Sequence, residues 1–261
     1  MRHCGENTMT NKQYADAITR GHFLYWDMLG NLRGNENRKE DGLRWMTGDI
    51  FYTYYAQTSD AEGIVRRMKD GEIPKNLILL TDDLEADPSV PFLATGLFKT
   101  GLGTTGMAHE LMDTPLPKAD KRLNIFRVRE VSQLKTAGAI INAAFEYSLF
   151  SFAHYAEMME NEGQFFYLAE FDGLPAGACM SQHGDDYVNI SWVGTLPGNR
   201  KRGIAGYLIQ AAEREGMRHG KTTGVLHGRP CAVNAYRRIG YKDICRTIDL
   251  ELCLEEEKEH G

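Results

Sequence analysis

The sequence predicts an α/β (α+β) chain in two parts, and three observations carry that prediction. Short runs of β-branched and aromatic residues alternate with amphipathic helical stretches along the whole chain. A polar stretch, Asp113-Thr114-Pro115-Leu116-Pro117-Lys118-Ala119-Asp120-Lys121, interrupts the alternation near its middle. The wording helix, glycine, apolar residue, strand in Leu97-Phe98-Lys99-Thr100-Gly101-Leu102 returns as Arg238-Ile239-Gly240-Tyr241, as two copies of one unit would produce. With 261 residues, 42% hydrophobic and 25% charged, the chain suits one large domain or two of about 130 residues.

The elements follow in order. Residues 13–31 carry Tyr14, Ile18, Phe23, Tyr25, Trp26 and Leu29 and read as a helix. Residues 34–42 read as a polar loop, which leads through Leu43 to Gly48 into a strand at 50–55. A helix over 60–68 places Ile64, Val65 and Met68 on one face and stops at Gly71. Residues 77–80 form a short buried strand, 91–99 a second helix closed by Gly101, and 104–111 an extended run. Pro115 and Pro117 place a linker at 115–122, between a first domain at 1–114 and a second at 123–261.

The second domain opens with a strand at 124–128 and helices at 131–147 and 153–162. Strands at 165–171 and 176–182 flank the turn Asp172-Gly173 as a hairpin, and the turn 184–186 leads to a strand at 187–195. After a loop at 196–202, a helix at 203–219 turns Ile204, Leu208, Ile209 and Ala212 inward and is capped by Gly220. A strand at 223–226 and a helix at 232–239, capped by Gly240, precede a long strand at 241–254. In that strand Ile248, Leu250, Leu252 and Leu254 alternate with polar residues. The acidic tail, 255–261, is expected to fray.

Thirty basic residues against 36 acidic give a net charge of −6, which argues against a nucleic acid or an anionic membrane as partner. No apolar run approaches the roughly 18 residues of a membrane span. The polar start lacks the apolar stretch of a signal peptide, so the expected location is the cytoplasm. Cys4, Cys179, Cys231, Cys245 and Cys253 are odd in number and widely spaced, hence reduced and structural. The eight histidines are scattered without a metal-ligand pattern, and no metal is expected.

The strongest chemical signal is Pro197-Gly198-Asn199-Arg200-Lys201-Arg202-Gly203-Ile204-Ala205-Gly206, between a strand and a helix. Amide groups at a helix N-terminus lack partners, and the helix dipole adds positive potential there. Gly203 and Gly206 permit close backbone approach, and three cations suit phosphate oxygens. The plainer alternative is a solvated basic turn. A competing pattern, Gly101-Leu102-Gly103-Thr104-Thr105-Gly106, satisfies the dinucleotide fingerprint, but that fingerprint needs a strand before it and a helix after it. A helix cap leading into a strand explains those glycines better.

Arg200-x-x-Gly203-x-Ala205, preceded by Pro197, resembles motif A of the GNAT superfamily of acetyl-CoA-dependent N-acetyltransferases. Ala232-Val233-Asn234-Ala235-Tyr236-Arg237-Arg238-Ile239-Gly240-Tyr241 resembles the second signature of that family, a helix ending Tyr-x-x-x-Gly-Phe/Tyr. The resemblance covers residues 124–254 and implies a mixed, mostly antiparallel sheet flanked by helices. The first half resembles a partial, divergent unit of the same kind that lacks the basic glycine loop, as in tandem GNAT proteins.

The resemblance also implies site residues. The backbone of Arg200, Lys201, Arg202, Gly203, Ile204, Ala205 and Gly206 would hold the pyrophosphate of acetyl-CoA, the co-substrate. Val193, Gly194 and Thr195 would pair with the pantetheine arm as an added strand, and the Val193 N–H would polarise the thioester carbonyl. Tyr236 would act as general acid toward the departing thiolate; its plainer reading is a core aromatic. Arg229 stands where the family often has Asn, and Asn234 is the candidate to replace that coenzyme contact. The strand at 187–193 carries no Glu or His to serve as base, which leaves Glu146, His154, His183 and Asp186 unranked.

The function so implied is acetyl transfer to a primary amine by direct attack. The alternative is a non-catalytic acyl-CoA-binding sensor or scaffold. The acceptor is a small-molecule amine or, as a further reading, a peptide; Phe145, Tyr147, Phe150, Phe152 and Tyr155 are candidates to line its groove. The long final strand suggests a homodimer paired across two copies.

Overall fold

The structure, a computed structural model, describes residues 9–112, 120–146 and 150–254. Most of the expected linker, Tyr147 and the acidic tail lie outside the described residues. Two compact units result: Met1–Tyr25 with Gly106–Ile244, and Trp26–Thr105 with Cys245–Gly261. Each draws chain from both sides of the expected linker.

In chain order the elements are α1 (Asn11–Gly30), β1 (Asn35–Glu40), β2 (Leu43–Gly48), β3 (Tyr52–Ala56), α2 (Ala61–Lys69) and β4 (Asn76–Leu80). Next come α3 (Val90–Leu93), β5 (Phe98–Thr100), β6 (Thr105–Glu110), β7 (Leu123–Arg127), α4 (Val131–Phe145) and α5 (Phe152–Glu160). The chain continues with β8 (Gln164–Phe171), β9 (Leu174–His183), β10 (Tyr187–Thr195) and α6 (Ile204–Arg218). It closes with β11 (Thr223–Gly228), α7 (Val233–Arg237) and β12 (Lys242–Leu252).

The first unit is built on a sheet in the order β6-β11-β10-β9-β8-β7. β7 through β10 are antiparallel neighbours, and β11 lies parallel to β10. The β8–β9 hairpin closes on Asp172 and Gly173, both with positive φ (53° and 75°), the backbone a two-residue turn between right-twisted strands requires. Gly177 and Gly194 show how the two faces are used. A Cβ on Gly177 would lie 2.9 Å from Ile204 of α6, whereas one on Gly194 would lie 2.8 Å from Ala144 of α4. Gly194 pairs with Ala178, the neighbour of Gly177, and successive strand residues face opposite ways. So α6 covers one face and α4 the other. On the α6 face, Tyr167, Cys179, Leu208, Ile209 and Leu226 pack with Tyr236 of α7 in one core.

The second unit carries β1-β2-β3-β4 and the later part of β12, with β5 pairing β12. Its core joins Ile64, Val65 and Met68 of α2 to Leu77 and Leu79 of β4, Phe92 of α3, and Leu250.

Three expectations are corrected. The polar loop expected at 34–42 holds a strand, because β1 pairs with β2 from Asn35↔Gly48 to Glu40↔Leu43 and needs no buried face of its own. The helix expected at 91–99 stops at Leu93; Gly96 takes φ 70°, and Phe98–Thr100 leaves as β5 to pair with Leu250–Leu252. The repeated wording therefore sits five residues earlier than expected. Phe92-Leu93-Ala94-Thr95-Gly96-Leu97 matches Tyr236-Arg237-Arg238-Ile239-Gly240-Tyr241, each a short helix, a positive-φ glycine and a strand. Within the described residues, β12 pairs with β4 over Thr247–Glu251 and with β5 over Leu250–Leu252.

The glycines at 101–106 come after strand β5 and lead into strand β6, not a helix, so the dinucleotide pattern lacks its helix. Gly103 is needed for packing, since a Cβ there would collide with the carbonyl oxygen of Thr247. Among the described residues no helix is long and apolar enough to cross a membrane.

Candidate active site

β10 and β11 pair only from Tyr187↔Thr223 to Ile190↔Leu226. Beyond Ile190 the register of β10 with β9 also shifts, between Ser191 and Gly194. The bulge is centred on Trp192, whose φ of 53° is unusual for a bulky side chain. Neighbours hold it there. The Trp192 indole N–H donates to the Tyr25 hydroxyl at 2.5 Å, and Phe145 and Phe150 set their rings edge-on at 4.7 and 5.0 Å. After the bulge, Gly194 faces Ala178 in β9 and the Leu196 N–H donates to Ala176 at 2.9 Å. By strand alternation, the N–H groups of Val193 and Thr195 then point toward the opened β11 side. The Thr195 carbonyl accepts from Arg200 Nε at 3.3 Å.

The next loop ends at the N-terminus of α6. Lys201 (φ 63°) and Gly203 (φ 77°) are both left-handed, a backbone that gathers successive amides into a concave surface. Among the described residues, no N–H from Lys201 to Gly206 finds an acceptor; the first helical bond is Tyr207 N–H to the Gly203 carbonyl at 3.2 Å. Six consecutive donors with the helix dipole behind them make an anion cradle. A Cβ on Gly206 would meet only Ile239, at 3.4 Å, so the protein itself leaves this position open. Arg200, Lys201 and Arg202 are exposed, and Arg202 stacks 4.4 Å from the Phe171 ring.

Tyr236 stands on α7 against the end of β11: a Cβ on Gly228 would lie 3.1 Å from its Cδ2. It is 8% exposed, and among the described residues its hydroxyl has no hydrogen-bond partner. Burial raises its pKa well above the usual tyrosine value, and the Arg229 cation acts in the opposite direction. Arg229 lies 4.8 Å over the Phe145 ring. Asn234 is exposed, and its amide oxygen accepts from Arg237 at 2.7 Å, so it does not share the enclosure of Tyr236.

The four candidate bases separate clearly. His154 caps its own helix, its Nδ1 accepting from the Ser151 N–H at 3.3 Å. Asp186 pairs with Arg20 at 2.8 Å, and that guanidinium lowers its pKa. His183 packs on Phe165 at 4.4 Å, and burial with nearby cations pushes its pKa down to about 4. Asp186, just before β10, and His183, paired with Val188, also stand toward the end of β10 away from its bulge, roughly 20 Å and roughly 13 Å from it at 3.3 Å per residue. Glu146 remains: exposed, left-handed at φ 63°, and adjacent to the Phe145 that packs on Trp192.

Sequence reasoning missed Trp192 and Tyr25. Only the bulge makes Trp192 an aromatic post, and its partner lies 167 residues away.

Comparison with known proteins bears on the fold that carries this site. The family model for the acetyltransferase (GNAT) domain matches residues 128–249. No curated protein matches the sequence. Among solved structures, a GCN5-related N-acetyltransferase from Kribbella flavida is similar over 92% of this chain and 95% of its own, with TM-score 0.64 and 20% identity. A GCN5-related N-acetyltransferase from Sphaerobacter thermophilus is similar over 85% and 78%, with TM-score 0.60 and 16% identity. A tandem GNAT protein from the clavulanic acid biosynthesis pathway is similar over 92% and 94%, with TM-score 0.62 and 13% identity. At these identities the likeness is one of fold, and it extends over nearly the whole chain. The family match thus places the likeness to a GNAT acetyltransferase domain in residues 128–249, the part of the chain that carries the candidate site.

Proposed function

We propose that the protein is an acetyl-CoA-dependent N-acetyltransferase acting on a primary amine. One observation carries this: the amide cradle at Lys201–Gly206 and Tyr236, whose hydroxyl has no hydrogen-bond partner among the described residues, stand on either side of the stretch where β10 and β11 separate. The cradle fits a pyrophosphate, and the unpaired edge of β10 at Val193 and Thr195 fits an extended arm of amides.

When bound, acetyl-CoA supplies the acetyl group as a thioester. The Val193 N–H would donate to the carbonyl oxygen as negative charge gathers on it. The amine nitrogen forms its bond to the carbonyl carbon, the carbon–sulfur bond breaks, and the Tyr236 hydroxyl gives its proton to the sulfur. Burial keeps that hydroxyl protonated at neutral pH, and Arg229 lowers the cost of the phenolate left behind. The ammonium gives one proton to Glu146 or to water before attack, since His154, His183 and Asp186 are engaged elsewhere, and the second proton left on the nitrogen after the new bond forms returns to the Tyr236 phenolate.

We read the second unit as a divergent GNAT-like copy. Phe92 stands at the position of Tyr236 in the repeated wording and offers no hydroxyl, so proton donation belongs to the first unit alone. Free thiols at Cys179, Cys231, Cys245 and Cys253 suit a reducing compartment such as the cytoplasm.

The engagement of three candidate bases favours a second reading, a module that binds acyl-CoA without turnover. A panel of small amines and short peptides, assayed for release of free coenzyme A thiol, decides between them. Amine-dependent release supports the enzyme. Its absence across the panel, with acetyl-CoA still binding, supports the module.

A further inference from the structure

We propose that Glu213, His109 and Tyr241 form a buried positioning network that sets the side chain of Tyr236; this rests on the reading of Tyr236 as proton donor. Glu213, on the third turn of α6, is a carboxylate only 6% exposed. Its Oε1 accepts the Tyr241 hydroxyl at 2.8 Å and lies 2.8 Å from His109 Nε2. The imidazole and phenol rings are 4.2 Å apart. A buried carboxylate is costly unless it is hydrogen-bonded, so these contacts keep it in place.

The surrounding backbone is shaped for the network. A Cβ on Gly224 of β11 would come within 2.8 Å of the Tyr241 hydroxyl and 3.0 Å of the His109 ring. Gly240, at φ 103°, turns the chain between α7 and Tyr241, and a Cβ there would stand 3.3 Å from His109 Nδ1.

The network reaches Tyr236 through the turn that ends α7. That helix has only five residues, too few to be stable alone. The Tyr241 N–H donates to the Tyr236 carbonyl at 3.2 Å, and the two rings are 6.4 Å apart. Pinning the Tyr241 hydroxyl to α6 therefore fixes the far end of the segment that carries Tyr236. The same helix begins at the amide cradle, about 15 Å from Glu213 at 1.5 Å per residue. One rigid element thus spaces the cradle from the pin.

The test uses the full chain labelled with carbon-13 at the tyrosine ζ position, with Tyr236 assigned by the signal that Tyr236→Phe removes. Tyr241→Phe and Glu213→Ala are expected to shift or broaden the Tyr236 signal. Glu213→Gln, which still accepts from the Tyr241 hydroxyl, is expected to keep it near its wild-type position. The buried rings of Tyr14 and Tyr155 report that the unit is intact. If Glu213→Ala does not fold, Tyr241→Phe carries the test alone, since it removes the pin and leaves Glu213 paired with His109. Acetyl-CoA affinity should stay within about twofold in Tyr241→Phe, while turnover with any accepted amine falls about tenfold or more. A Tyr236 signal unmoved in the folded variants, or a Gln variant that behaves as Ala, overturns the network. Failure of the wild type to bind acetyl-CoA overturns the proposed function instead, and the Tyr236 signal still decides the positioning.

Discussion

Replacing Tyr236 by Phe removes one oxygen atom and should separate chemistry from binding. General-acid catalysis contributes about 10²- to 10⁴-fold, so turnover should fall by that factor, about 3–5 kcal/mol in activation free energy. Stability should not fall with it. The hydroxyl has no protein partner among the described residues, so its loss strands no buried group, and the variant should be neutral or up to about 1 kcal/mol more stable. In the proposed site coenzyme affinity would come from the loop at Lys201–Gly206 and from β10, neither of which carries Tyr236, so KM for acetyl-CoA should stay within about twofold. Thiol release under saturating amine gives kcat and KM, and urea unfolding gives stability. Because burial raises the Tyr236 pKa, the wild-type rate should show no decline from its ionisation below about pH 10. Equal loss of turnover and coenzyme affinity would refute the reasoning, as would turnover unchanged in the Phe variant.

Further expectations concern the scaffold. Burial raises the pKa of Tyr187 to about 12 and that of Tyr167, Tyr236 and Tyr241 further, so the unfolded chain ionises first. The stability they contribute is whole below about pH 10 and is lost above it, at about 1.4 kcal/mol per tyrosine per pH unit, which urea unfolding at pH 9 to 11 measures. His183 and His227 are held neutral, with pKa values pushed down to about 4 and about 3 by burial. Below about pH 6.5 the unfolded chain takes up protons that the folded one refuses, so stability should fall from pH 6.5 toward 4; a flat profile there would contradict their burial. Gly216→Ala should destabilise by about 1–2 kcal/mol despite better helix propensity, because the new methyl collides with Val188, and Val188→Ala in the same chain should relieve part of the loss. At Lys201, whose φ is positive, Gly should be tolerated and Val should cost about 1–2 kcal/mol in thermal unfolding, which separates backbone shape from charge.

The second half was legible because its elements are long and its punctuation is local. Asp172-Gly173 turns a hairpin, Gly203 opens α6, and Gly240 closes the segment after α7. The first half was harder to read. Asn35–Glu40 is a strand with no apolar alternation, since its order comes from pairing with β2; Asp41-Gly42 between the two strands was the available turn signal. Residues 91–99 suggested a helix by composition, but Gly96 ends it and pairing with β12 recruits Phe98–Thr100 into the sheet. In the site, the cradle and Tyr236 could be read because motif spacing reports backbone chemistry. Trp192 and the Glu213 network could not, because a bulge and contacts between β6, α6 and the β12 turn depend on tertiary register. Asn234 shows the opposite limit, for closeness in sequence to Tyr236 did not bring its side chain inward.

The most direct test of the account is a calorimetric titration of acetyl-CoA into the wild type and into Gly206→Glu. Gly206 serves better than Gly203, whose φ of 77° would strain any side chain, whereas a Cβ at Gly206 meets only Ile239 at an ordinary distance. A glutamate in the first turn of α6 is also favourable for the helix, so the variant should fold. Binding to the wild type should be micromolar, about −8 kcal/mol, and should be lost in the variant, where a carboxylate fills the anion cradle. No binding to a folded wild type, or equal binding to both proteins, would contradict the claim that Lys201–Gly206 holds the coenzyme.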